Sequence, residues 1–268
     1  MRDRSRPLPF GLAARAVFEL SLDGMVFSRR SLLMALLVAA PVLFAILYRV
    51  LAATQGAPPL GPSDLYALVV AIYWIRNVLP LAALFYATSL VADEVEGRTL
   101  TYLLTRPLTR GAIFAGKYAA YVATTVALAL PAAVLTFFLL MTAPHAPALG
   151  PAAVDLLRDL GVMLLTLVVY GALFGLLGVL LKRPVIPGLM FLYGWELLAN
   201  LPGYMPRLTL TAWLRSLIRH RPAEQGLSGL FQQVLPADQA LLVLITVTIV
   251  LLGAAGWIFS RREYVLDQ

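Results

Sequence analysis

Apolar residues run along this chain in long blocks, each near the ~20 residues that carry a helix across the hydrocarbon core of a bilayer. Six blocks stand out, at 31–50, 66–92, 112–141, 153–181, 185–201 and 240–260. The first follows Arg29-Arg30 and contains Pro41, which a membrane helix tolerates. The fourth is entered through Gly150-Pro151, and the short fifth sits between Pro184/Pro187 and Pro202. Outside the blocks the pattern turns amphipathic. Within 10–30, Phe10, Ala14, Val17, Phe18 and Met25 share one side of a helical wheel, with Arg15, Glu19 and Asp23 on the other. That spacing predicts a helix lying on the membrane surface before the first span. Within 202–238, Leu210, Trp213, Leu214 and Leu217 keep helical period with Arg215 and Arg219 opposite, and Leu227, Leu230, Phe231, Val234 and Leu235 repeat it. Two short helices at or dipping into the outer interface are expected there.

Composition supports the same picture. The chain is 60% hydrophobic and 13% charged, with a mean hydropathy of +0.84. A soluble domain carries about 25% charged residues, so this apolar excess must face lipid. There are no cysteines, which excludes disulfides, thiolate metal sites and cysteine nucleophiles. His145 and His220 lie far apart without a nearby ligand partner, so no metal centre is expected. The net charge of +7 would suggest nucleic acid in a soluble protein, but here the basic residues sit in short segments beside apolar blocks, where they set orientation. With the N-terminus inside, the inner segments hold Arg2, Arg4, Arg6, Arg15, Arg29, Arg30, Arg98, Arg106, Arg110, Lys117, Lys182, Arg183, Arg261 and Arg262. Residues 202–238, with Arg207, Arg215, Arg219 and Arg221, run against the bias. Arg2, Arg4 and Arg6 are followed by a polar stretch rather than the apolar run of a cleavable signal. The expectation is a multi-pass protein of a bacterial plasma membrane, both termini cytoplasmic, binding no nucleic acid.

The most informative segment is 93–110, between the second and third blocks. Glu94 and Arg98 stand at i, i+4 in the favourable order, Leu100, Leu103 and Leu104 form an apolar stripe, and Pro107 ends the helix. A small amphipathic helix tied to two membrane helices suits a groove on a soluble partner. The run Glu94-Val95-Glu96-Gly97-Arg98-Thr99-Leu100, then Leu103-Leu104, then Pro107-Leu108-Thr109-Arg110, with Gly116-Lys117 opening the next span, resembles the ABC-2 type permease family. The likeness extends over the whole chain. It implies an all-α membrane protein of six transmembrane helices with an N-terminal interfacial helix, a cytoplasmic coupling helix and short outer-face helices before the last span. It also implies two permease copies, identical or closely related, around a pathway. Two separate ABC ATPase subunits bind ATP and Mg²⁺, and their motion enters through Glu94, Glu96, Gly97, Arg98, Leu100, Leu103, Leu104, Pro107 and Arg110. Arg98 and Thr105-Arg106 depart from the family pattern at exposed positions. A further partner on the outer side is compatible with this arrangement.

Gly111-Ala112-Ile113-Phe114-Ala115-Gly116-Lys117-Tyr118 nearly matches a phosphate-binding loop, but Tyr118 replaces the Mg²⁺-holding hydroxyl and no strand precedes it. The chain is therefore expected to be non-catalytic and to hold no cofactor of its own. Arg76 with Asn77, and Glu196 near Asn200, are polar groups inside spans and candidates for the pathway; Glu196 is also a candidate partner for Arg76. Asp155, Arg158 and Asp159 read as a solvated helix end. Gly171, Gly175 and Gly178 give the fourth span a smooth face for close packing within the chain. An ion-coupled transporter or channel would need an inverted repeat and more buried ionisable groups; a non-transporting membrane anchor would have no cavity between subunits.

Overall fold

The computed structural model describes residues 9–26, 29–55, 60–90, 109–144, 146, 149–201, 203–218 and 236–261. These residues form helices and connecting turns, with no strand among them. Helix α1 spans Phe10–Val26, α2 Arg29–Gln55, α3 Pro62–Ala87, α4 Arg110–Met141 and α5 Leu149–Leu180. Helix α6 spans Val185–Tyr193, α7 Leu210–Ser216 and α8 Ala237–Arg261. Five of them, α2, α3, α4, α5 and α8, are long and apolar enough to cross a membrane.

The helices run antiparallel in turn, so the bundle has two ends. One carries Leu90, Arg110, Leu180 and Arg261; the other carries Pro62, Met141, α7 and Ala237. Helix α5 is the centre, with 67% of its apolar window buried, whereas α8 buries 17% of its own and lies at the edge. Trp74, Tyr86, Tyr121, Tyr170, Phe137 and Phe174 fill the interior between α3, α4 and α5. Leu32, Leu36 and Leu43 of α2 and Leu242, Ile249 and Trp257 of α8 face outward, a surface that only lipid or another membrane chain suits.

Two breaks from the expected pattern have local causes. Helix α3 opens at Pro62, earlier than the apolar block suggests, because Pro62 stands in the first turn, where a missing N–H leaves no gap. Over Val69–Val78 it widens into a π-helix, and the Leu79 N–H still bonds five residues back to the Trp74 carbonyl. Pro80 follows and has no N–H to give; the α register restarts around it as a fresh first turn.

The second break falls in the block 185–201, expected as one continuous span. It forms the nine-residue α6, then a 3₁₀ turn over Trp195–Asn200. The chain bends at Gly194, where a Cβ would stand 2.5 Å from the Met190 carbonyl oxygen.

Helix α1 does form, with Arg15 and Glu19 paired at 2.9 Å on its exposed face. Its buried residues are Ala13 and Val17, while Phe10, on the same apolar side, is 57% exposed. The reason is its partner: α1 packs chiefly on α4, and its backbone at Ala14 sinks onto Gly116, turning Phe10 to the rim. Of the two short helices expected within 202–238, the first is α7; the second lies outside the described residues. Helix α7 turns Trp213, Leu214 and Leu217 into the protein, against α8 and the π-helical stretch, rather than toward lipid.

Candidate functional site

Residues 91–108 lie outside the described residues, and with them Glu94, Glu96, Gly97, Arg98, Leu100, Leu103, Leu104 and Pro107. Arg110, the last of the expected coupling residues, is described and opens α4 after the extended Thr109. What the structure shows in detail is the junction on which that segment is mounted.

The end of α3 is held from two sides. On one, Gly178 of α5 comes so close that a Cβ there would lie 2.6 Å from the Thr88 carbonyl oxygen and 3.1 Å from its Cα. On the other, the Lys117 ammonium of α4 donates to the Leu90 carbonyl at 2.7 Å. The last carbonyls of a helix lack intrahelical donors and carry the negative end of its dipole, so a cation suits this position. Gly175 lies between, its Cβ position 3.6 Å from the Phe114 ring and 4.0 Å from Leu90 Cδ1. Phe114 also meets Phe259 of α8, ring centroids 6.2 Å apart. One turn further in, Gly171 receives the Tyr121 ring, whose hydroxyl donates to the Leu167 carbonyl at 2.8 Å. All three small-residue positions are thus filled from within the chain.

The phosphate-loop look-alike takes part in the same junction. Gly111 lies under the Phe10 ring, its Cβ position 3.7 Å away, and at Gly116 a Cβ would be 2.4 Å from the Ala14 carbonyl oxygen. Lys117 follows in the sequence and turns to Leu90. The glycines serve helix docking, inside an unbroken α4. The joint between α1 and α2 is tied to α3 as well: Ser31 donates to the Met25 carbonyl. With its one proton so used, Ser31 Oγ accepts from the Tyr86 hydroxyl at 2.6 Å.

The polar candidates lie away from this junction. Arg76 and Asn77 stand in the π-helical stretch, both half-buried. Asn77 donates to the Ile72 carbonyl at 2.7 Å. Among the described residues no carboxylate pairs with Arg76. Glu196, the partner considered for it, is buried and faces elsewhere. Its two carboxylate oxygens accept from the Leu210 and Thr211 N–H groups at 3.1 and 3.0 Å, satisfying the first donors of α7. Tyr170 of α5 meets the Thr211 hydroxyl at 3.0 Å beside it. Asn200 accepts from Arg215 at 3.4 Å.

Glu196→Ala would leave two enclosed N–H groups without an acceptor, an expected cost of about 1–3 kcal/mol. The melting temperature in detergent falls, and Glu196→Gln, which keeps one acceptor, falls less. Equal melting of Glu196→Ala and the parent protein would break the cap assignment.

The reading of Asp155, Arg158 and Asp159 as a solvated helix end is corrected at Asp159 alone, since Arg158 is exposed and Asp155 half-buried. Asp159 is fully buried and faces the Tyr66 hydroxyl. Arg158 Nε donates to the Leu217 carbonyl at 2.8 Å, closing the other end of α7. The signal was present in the period: Leu156, Asp159, Met163, Thr166 and Tyr170 keep helical spacing and are all buried. Arg49, inside the first block, was passed over; its guanidinium donates to the Thr142 hydroxyl at 2.5 Å, at the close of α4.

Residues 28–194 match the family described as ABC-2 family transporter protein, well over half of the 268 residues. The chain belongs to the ABC-2 transporter family. A search of curated proteins finds no match to it. The family region opens beside α2 and closes at Gly194, the bend after α6, so it takes in the whole segment 91–108 and both of its supports. ABC-2 permeases are generally non-catalytic membrane subunits that work with ABC ATPase partners. With five long apolar helices, this one is a multi-pass membrane protein.

Proposed function

We propose that this ABC-2 chain is the permease subunit of an ATP-binding-cassette exporter, moving cargo outward or transmitting force across the membrane. The observation that carries the reading is the mounting of segment 93–110. Its supports are the Leu90 end of α3 and the opening of α4, joined by Lys117 in a junction where α1, α3, α4, α5 and α8 touch, so a push from a soluble partner reaches five helices. In this reading two ABC ATPase subunits hold ATP and Mg²⁺ and bind Glu94 to Arg110 as the coupling helix. Two permease copies, identical or paralogous, pair around the pathway.

The fifth crossing is α6 continued by the 3₁₀ turn. Nine α residues at about 1.5 Å and six 3₁₀ residues at about 2.0 Å give roughly 26 Å of helix along the chain, a length that the bend at Gly194 shortens against the ~30 Å core. Six crossings keep both termini cytoplasmic, in a bacterial plasma membrane, with α7 on the outer side. Arg76 and Asn77 then face the pathway from the π-helical stretch, while Glu196 and Asn200 shape the α7 region that closes it.

Affinity purification of the tagged protein in mild detergent, with mass spectrometry of what accompanies it, tests the proposal. An ABC ATPase in equal amount is the expected result. Its reproducible absence from folded permease would end the reading and turn attention to an ion-coupled transporter.

A further inference from the structure

We infer that Lys117 is a positioning residue for energy coupling: its bond to Leu90 fixes the end of α3 to α4, so that the two helices flanking the proposed coupling residues respond to the ATPase as one body. The inference rests on the permease reading above and deepens it by naming the residue through which the segment acts.

The argument begins with cost. Lys117 is only 7% exposed, near the end of a membrane-crossing helix. Desolvating an ammonium there is expensive, and an apolar side chain of the same volume would fill the space more cheaply. Such a group is retained where it does something an apolar one cannot. Here it donates to the Leu90 carbonyl at 2.7 Å, across 27 residues of sequence. Leu90 is the last described residue before the segment and Arg110 opens the helix after it.

The neighbours make the staple consequential. Gly116, adjacent to Lys117, is where α1 sits on α4. Thr88, two residues before Leu90, is where α5 sits on α3 at Gly178. With the Lys117 bond in place, a shift of α3 carries α4, and with the pair go α5 and α1. Without it, the end of α3 keeps its packing on α5 but loses its fixed offset to α4. Helix capping alone would predict a loss of stability and nothing else; a positioning role predicts a loss of coupling in complexes that are fully assembled.

The test uses the complex purified from membranes through the tagged chain, with the ATPase that accompanies it, for the parent protein, Lys117→Met and Lys117→Arg. ATP hydrolysis is measured per assembled complex in liposomes against the ATPase alone. Expected for Lys117→Met is ATPase retention equal to the parent and an about tenfold loss of the permease-dependent change in hydrolysis, within the range of ordinary coupling energies. Lys117→Arg, which keeps the cation, restores at least half. Should Lys117→Met not give monodisperse protein, Lys117→Gln is read in the same way. Parent-like hydrolysis per complex in the uncharged variant overturns the inference while leaving the permease reading intact. If the parent protein brings no ATPase at all, the permease reading fails and the coupling role falls with it.

Discussion

Protein carrying Leu103→Asp and Leu104→Asp together enters the membrane normally and brings down no ATPase. Leu100, Leu103 and Leu104 form one apolar stripe in a segment otherwise rich in charge and hydroxyls. If the stripe fills a groove on the ATPase, each leucine contributes about 1.5–3 kcal/mol by burial. Two aspartates would forfeit that and add the cost of desolvating two carboxylates against an apolar wall. A loss of more than about 4 kcal/mol is roughly a thousandfold in affinity, enough to empty the complex on a column. Insertion is untouched because residues 93–110 lie between apolar blocks rather than in one. Co-purification measures the first effect and membrane fractionation the second. Unaltered association with intact insertion would remove the segment from its coupling role.

The second large effect separates two glycines three residues apart on α5. At Gly178 a methyl group would meet backbone, 2.6 Å from the Thr88 carbonyl oxygen, and backbone cannot step aside without parting α3 from α5. Overpacking of that kind costs about 1–3 kcal/mol or more. At Gly175 the nearest atoms are the tips of Phe114 and Leu90, at 3.6 and 4.0 Å, ordinary contact distances. Gly175→Ala therefore gains the roughly 0.5–1 kcal/mol by which alanine favours a helix over glycine. Thermal melting in one detergent should place Gly178→Ala well below the parent protein and Gly175→Ala level with it or above. Two variants melting together would contradict the close approach of α3 and α5.

Much of the architecture follows from local pattern. Blocks 31–50, 66–92, 112–141, 153–181 and 240–260 each became a long helix because an apolar stretch in lipid has no other way to satisfy its backbone. The block 185–201 obeyed the same composition rule and still broke, since Gly194 permits a bend that no hydropathy scale records. Glu196 was recognised as unusual, yet its partner depended on a chain reversal at 201–209 that brings Leu210 and Thr211 back to it. Asp159 was misjudged because its charge was given more weight than its place in a buried period. That the Gly111 to Lys117 run docks α1 and holds Leu90 could not be seen without tertiary contacts.

The π-helical stretch bears on how the protein is made. Helix α3 is the least apolar of the five, with a hydropathy of 1.8 against 2.2 to 2.5 for the others, and it carries Arg76 and Asn77 where its ladder is widest. Leaving the ribosome alone, it is the weakest candidate for lateral entry into lipid, and the elements that cover it, α5 and α7, are synthesised later. Its membrane insertion is thus expected to depend on the downstream chain, with half-made protein stopped before α5 the form most exposed to quality-control proteolysis.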